Sequence, residues 1–301
     1  MSILAVGTVA FDSIETPFGS VETELGGSAS YFAVAASFFA PVQIVGVVGQ
    51  DFPEQYLDLF RRHRVDLQGL QRNPGATFHW RGRYHEDINV RDTLELHLNV
   101  LADFVPRLPE SYRNAEYVFL GNIDPVMQME VLSQLRGNRL LACDTMDHWI
   151  QNSRAEVDKI LRKVETLVIN DSEARLLSGE HNMVRAARAI LKMGPKFLLI
   201  KRGEYGVLAF SDSSMFATPA YPLEEVFDPT GAGDSFAGGF LGQLARSGDH
   251  SERGLRRAII YGSVVASFTV EDFGLRRLTK LTADEIENRF RRFLELTDFH
   301  T

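Results

Sequence analysis

The stretch Asp228-Pro229-Thr230-Gly231-Ala232-Gly233-Asp234-Ser235-Phe236-Ala237-Gly238-Gly239-Phe240 decides the reading of this chain. Three small residues, Gly231 to Gly233, run into a carboxylate, Asp234. A helical pattern follows, with Phe236, Phe240 and Leu244 four apart on one face. A glycine-rich turn entering a helix leaves backbone N–H groups without intrahelical partners. With the positive end of the helix dipole, those donors form an anion site. A carboxylate inside such a site repels a resting phosphate, but it is useful where a hydroxyl must lose a proton beside a charge-rich reacting group. An anion hole and a base side by side point to phosphoryl transfer. The same residues also fit an ordinary tight turn in which Asp234 complements the dipole, worth about 0.3–1 kcal/mol. The rest of the chain weighs between the two.

The 301 residues are 45% hydrophobic and 24% charged, a composition that suits one large α/β domain with an appendage. The net charge is −8 and there is no basic block or stripe, which disfavours nucleic acid as a partner. ATP needs only local positive potential, so global acidity does not argue against it. The one cysteine, Cys143, sits in the apolar run Leu140–Cys143 and reads as a core residue. It allows no disulfide framework within the chain. The start, Met1 to Gly7, reads as a strand and not a signal peptide. A reducing cytoplasm is the expected location. No run of 18 apolar residues occurs, so no membrane span is expected.

Short apolar runs alternate with amphipathic segments. Residues 3–6, 43–48, 117–120, 139–143, 166–169 and 197–200 read as buried strands. Residues 28–39, 53–63, 125–135, 184–192, 231–245, 252–270 and 283–296 read as helices. This alternation predicts βαβ units on a parallel sheet. Ligands bind such sheets beyond the carboxyl ends of the strands, where Asp144, Asn170 and Lys201 all fall. Two segments break the pattern, 14–25 and 77–100. The second contains a strict alternation, Leu94-Glu95-Leu96-His97-Leu98-Asn99-Val100, which predicts a strand with one apolar and one wet face.

Four motifs, in this order, resemble the ribokinase (PfkB) family of carbohydrate and nucleoside kinases. Gly26-Gly27-Ser28-Ala29-Ser30-Tyr31 is similar to the Gly-Gly pair that opens an alanine-rich helix. Asn170-Asp171-Ser172-Glu173 is similar to an Asn-x-x-Glu motif after a strand. Lys201-Arg202-Gly203-Glu204-Tyr205-Gly206 resembles a Gly-x-x-Gly hairpin. Asp228 to Asp234 resembles the C-terminal signature. The resemblance covers the chain from about Gly7 to Gly274. It implies a ribokinase-like three-layer α/β/α fold with a mainly parallel central sheet, a single domain over 1–301, and a small inserted β-sheet lid formed by about 14–25 and 77–100.

The resemblance also implies roles. Asp234 is the general base toward an acceptor hydroxyl, and Gly231, Ala232 and Gly233 form the anion hole. Asp228 shapes that hole and lies near a monovalent cation site, where K⁺ would bind. As a turn-forming Asp before a proline it needs no such role. Pro229 stands where threonine is common in the family and removes one N–H donor. Asn170 and Glu173 hold Mg²⁺ through water, while the same pair also reads as a helix cap and capping box; both readings hold together. Asn170, Lys201, Gly203, Gly206 and Ser263 fall on the ATP side, with Ser263 near the adenine. Gly203 and Gly206 equally suit a hairpin turn. Asp12, Gly26, Gly27 and Tyr31 fall on the acceptor side. A carboxylate at Asp12 accepts two hydroxyl hydrogen bonds and so selects a vicinal diol. Gly26 and Gly27 also suit a simple helix entry with Ser28 as N-cap. Tyr31 stands where the family commonly has asparagine; its ring either stacks on an acceptor or packs in the core.

The expected function is ATP- and Mg²⁺-dependent phosphorylation of the CH₂OH of a small sugar, with a nucleoside as the alternative acceptor. A non-catalytic sugar sensor on the same fold is the alternative of another class. A nicotinamide-dependent oxidoreductase is disfavoured because no Gly-x-Gly-x-x-Gly follows the first strand, and a P-loop kinase because its motif does not occur. The expected partners are small molecules, and the chain is a monomer or a homodimer through the lid. The Leu94/Leu96/Leu98/Val100 face covers either the substrate or a partner lid.

Overall fold

The computed structural model describes residues 1–137 and 139–298. In chain order the elements are β1 (Ile3–Val6), β2 (Ala10–Thr16), β3 (Gly19–Gly26), α1 (Ser28–Ser37), β4 (Val42–Val48), α2 (Glu54–Arg62), β5 (Val65–Arg72), β6 (His79–Tyr84), β7 (Arg91–His97) and β8 (Tyr117–Leu120). They continue with α3 (Pro125–Gln134), β9 (Leu140–Cys143), α4 (Asp147–Asn152), α5 (Arg154–Leu161), β10 (Thr166–Asn170), α6 (Asp171–Ser178), α7 (Met183–Leu191), β11 (Phe197–Lys201), β12 (Val207–Ser211) and β13 (Met215–Thr218). Three long helices close the chain: α8 (Ala232–Ser247), α9 (Glu252–Thr269) and α10 (Ala283–Thr297).

The main sheet runs β13-β12-β11-β10-β9-β8-β1-β4-β5. It is parallel from β5 to β11, and β12 and β13 add an antiparallel edge. Alternate side chains of β1 serve two cores, as a period of two requires. Ile3 and Ala5 pack with α1, α8, α9 and α10, whereas Leu4 and Val6 pack with α3, α5 and α7. The molecule therefore has three layers, with β1 an inner strand of the sheet, between β8 and β4, and its C-terminal end facing the cleft. Among the described residues no helix is long and apolar enough to cross a membrane.

Helix α8 lies wholly inside one layer: Ser235 to Ala245 are all buried. Its glycines let neighbouring helices approach. A Cβ on Gly238 would fall 2.6 Å from the Phe32 carbonyl oxygen of α1.

The second sheet runs β3-β2-β6-β7. Two antiparallel hairpins, β2–β3 and β6–β7, join through a parallel β2–β6 pair. The lid strands thus begin at Ala10, earlier than residue 14, and Asp12 belongs to the lid itself. The alternating run from Leu94 is a strand only as far as His97. Asn99 takes a left-handed φ of 49° and the chain turns, which buries Val100 in the main domain. Leu94, Leu96 and Leu98 stay 39%, 54% and 47% exposed. Ser28 is also not the N-cap of α1: Gly27 is, and the Ser28 hydroxyl instead accepts from the Thr8 N–H at 3.2 Å, tying α1 to the loop after β1.

Candidate active site

The cleft lies between the lid and the C-terminal ends of the main strands. Its floor is the N-terminus of α8. Gly231 caps that helix with φ +71°, and the Tyr31 ring fills the space that a Cβ there would need, so only glycine serves. The Ser235 N–H makes the first i→i−4 bond of the helix, onto Gly231 (2.8 Å). The N–H groups ahead of it lack intrahelical acceptors. That of Ala232 turns back to the Pro229 carbonyl at 3.2 Å, so it is less free than its neighbours to meet an anion. Asp228 is wholly buried. Its carboxylate accepts from the Thr230 N–H and the Gly274 N–H, each at 2.8 Å. The Thr230 bond stands in for a donor that Pro229 cannot supply. This arrangement makes Asp228 the organiser of the loop.

Asp234, third residue of α8, lines the floor and retains partial solvent access. Burial, then the nearby Asp144 charge, pushes its carboxyl up to about 7, while Lys201 and Arg91 pull the other way. Asp144 caps the end of β9, with its Oδ1 accepting from the Thr145 N–H at 2.7 Å. The Lys201 Nζ, from the end of β11, lies 3.6 Å from Asp144 Oδ2 and 2.5 Å from where a Cβ on Gly233 would sit. Burial lowers the affinity of this amine for its proton, but Asp144, Glu173 and Asp234 outweigh it and hold the pKa above the ordinary value.

Asn170 and Glu173 form a capping box at the start of α6. Asn170 Oδ1 accepts from the Glu173 N–H (2.8 Å), and Glu173 Oε2 accepts from the Asn170 N–H (2.7 Å). Burial, then Asp144, pushes Glu173 up to about 8. Asp144 thus acts on both Glu173 and Asp234, and Lys201 partly offsets its charge on each. Such a set of hard oxygen donors suits Mg²⁺. Among the described residues no three acidic, His or Cys side chains form a direct ligand cage, so the fitting mode is through water and phosphate, with Asn170 and Glu173 at the cluster's edge.

On the acceptor side, Asp12 is 5% exposed and its carboxylate occupies the space beside Gly26. Burial and then Asp228 push it up to about 7. Gly27 (φ +92°) carries the turn into α1. Tyr31 is 1% exposed, beneath Gly231 and closed off from the cleft, with its hydroxyl lacking a hydrogen-bond partner. The ring thus supports the Gly231–Gly233 loop from below. Gly203 and Gly206 shape the turn from β11 to β12, the hairpin that their spacing suggested. Ser263 is buried on α9, and among the described residues its hydroxyl has no hydrogen-bond partner.

Three residues at this site escaped the sequence-based assignment. Asp144 had a signal, since it follows an apolar run at the correct sheet edge. Tyr84 and Arg91 had little, because they lie in the lid among other polar and aromatic residues. The Tyr84 hydroxyl accepts from Thr230 Oγ1 at 3.1 Å, joining the lid to the loop before α8.

The profile described as the pfkB family of carbohydrate kinases matches residues 3–281. A cytidine kinase of Thermococcus kodakarensis is 35% identical over 211 residues, covering 69% of this chain and 75% of the relative. Among solved structures, the Methanocaldococcus jannaschii nucleoside kinase superposes with a TM-score of 0.78 at 22% identity, covering 97% of this chain and 98% of that one. A candidate ribokinase II of E. coli, in complex with ATP and Mg²⁺, gives 0.79 at 19% identity, with coverage of 97% and 99%.

Proposed function

The chain belongs to the pfkB family of carbohydrate kinases and is a sugar or nucleoside kinase, and on that premise we propose that it transfers the γ-phosphoryl group of ATP to the CH₂OH of a nucleoside. The observation behind the chemistry is the placement of Asp234 beside the Gly231–Gly233 loop and Lys201. The observation behind the acceptor is the likeness to a cytidine kinase over two thirds of the chain. The sugar acceptor that the sequence placed first becomes the second reading, kept open by the family's carbohydrate kinases.

In this reading the acceptor hydroxyl attacks the γ-phosphorus in line. Asp234 takes its proton, a role typically worth about 10²–10⁴-fold. The anion hole and Lys201 face the charge that develops on the transferred group. Asp12, at the base of the lid, accepts hydrogen bonds from the vicinal diol of the ribose. The ATP and Mg²⁺ of the E. coli neighbour support ATP as donor. A Mg²⁺ ion near Asn170 and Glu173 would neutralise phosphate charge. A K⁺ site near Asp228 has less support, since both Asp228 oxygens already accept backbone N–H groups.

The test is ADP formation with Mg²⁺ across cytidine, adenosine, inosine, ribose and fructose. This reading expects a nucleoside to exceed free ribose by at least about 10-fold in kcat/KM, since a site built to pair a base penalises its absence. Preference for ribose or fructose would establish the sugar reading instead. ATP binding without any turnover points to an acceptor outside the panel, and no ATP binding to a sensor.

A further inference from the structure

We propose that Arg91 of the lid is a catalytic residue, whose guanidinium binds oxygens of the phosphoryl group in transit between ATP and the acceptor. The lid then supplies charge as well as cover. This inference rests on the kinase reading above.

The geometry begins with register. Arg91 opens β7 directly across from Tyr84 on β6. Tyr84 is buried and its hydroxyl is held by Thr230, in the loop that leads into the anion hole. That corner of the lid is therefore fastened to the floor of the cleft. The loop between the two strands descends on the opposite wall, where the Asn89 amide oxygen occupies the space that a side chain on Gly203 would need. The lid tip thus touches both the loop before α8 and the turn after β11, and Arg91 lies between these two contacts.

The side chain itself is aimed. The guanidinium carbon lies 5.6 Å from the centre of the Trp80 ring, a cation–π contact that limits its directions, and Tyr84 stands opposite Arg91 across the strand pair. Its charge acts on Asp12, Asp144 and Asp234, and Glu173 and Asp147 act on it. These carboxylates come from the lid base, the ends of β9 and β10, and the α8 N-terminus. Among the described residues, however, Arg91 forms no ion pair with any of them. An exposed arginine that feels the charge of several carboxylates but pairs with none keeps its forked donors for another anion. Lys201 and Arg91 are the two cations that temper Asp234. A phosphoryl group moving past Asp234 would lie between them. An anionic acceptor suits the place less well, since Asp12, Asp228 and Asp234 would repel it.

The step balances without a proton at Arg91. The P–O bond to ADP breaks, the P–O bond to the acceptor oxygen forms, and the hydroxyl proton passes to Asp234.

The test compares Arg91→Ala, Arg91→Gln and Tyr84→Phe with Asp234→Asn in the full chain, using Mg²⁺-ATP and the best acceptor of the panel. Arg91→Ala and Arg91→Gln should each lower kcat by at least about 10²-fold, below the range of arginine fingers but comparable to the loss of one oxyanion donor. The KM for ATP should stay within about threefold. Millimolar guanidinium should restore part of kcat to Arg91→Ala and none to Asp234→Asn, a response that a merely structural role does not give. Tyr84→Phe, which loosens the positioning only, should cost less than about 10-fold. The proposal is overturned if both Arg91 variants turn over within threefold of the parent, or if their whole defect is a raised acceptor KM. Near-parent turnover by Asp234→Asn would overturn Asp234 as the base, and a parent protein that consumes no ATP with any acceptor of the panel would overturn the kinase reading itself.

Discussion

At the scale of single residues, the carboxyl groups of Asp234 and Asp12, both pushed up to about 7, set the pH behaviour. A base works ionised. The profile of kcat/KM, which reports the free enzyme, should therefore fall as pH drops through about 7, by about tenfold per unit and more steeply if both groups must ionise. A profile flat down to pH 5.5 would remove Asp234 as the base. The same shift has a stability consequence. A carboxyl whose folded pKa is raised favours the fold fully below its unfolded value near 4, and that contribution is lost as pH rises through about 7. Asp234→Asn should therefore stabilise the protein at pH 8 by on the order of 2 kcal/mol relative to pH 5, read as the difference in melting shift at the two pH values. An equal shift at both would show that the Asp234 carboxyl is not perturbed. The sequence offered Asp234, Asn170, Glu173 and Lys201 as candidates because each follows a strand or opens a helix, so local spacing fixes its place in the fold. Arg91 was not legible in that way. Its role depends on a cross-strand partner, Tyr84, and on a floor loop about 140 residues further along the chain.

At the scale of elements, α8 was legible from its glycines and apolar face, and the structure gives the reason for its small residues. Gly238 touches the α1 backbone closely enough that a side chain has no room. Gly238→Val should cost about 1–3 kcal/mol by overpacking, measured as a fall in melting temperature; an unchanged melting point would mean that α1 and α8 are not packed in this way. The strands and helices with strong apolar runs fell within about two residues of their expected places. Several of those missed have weak patterns, although β12 is an apolar run. Strand β5 carries Asp66, Gln68, Gln71 and Arg72 on the sheet edge, and α4 to α6 are only six to eight residues long. The parallel β2–β6 pair was not legible, because pairing between distant segments leaves no local mark.

At the scale of the whole molecule, two bodies of unequal burial face each other across the cleft. Strands β1 and β8 are buried throughout, whereas every residue of β7 is exposed. Native-state hydrogen exchange should therefore be fastest in β7 and slowest in β1 and β8, and β7 should slow when ATP analogue and acceptor are both bound. Equal protection in the lid and the main sheet would contradict that division. Among the described residues, Leu94, Leu96 and Leu98 stay largely exposed. What unites the two bodies in this account is one transfer reaction, centred on the base at the head of α8. The most direct measurement is the turnover of Asp234→Asn beside the parent protein, with ATP affinity measured on both. Asp234→Asn should lose at least about 10²-fold in kcat with ATP affinity retained. A variant that turns over at near the parent rate would contradict it.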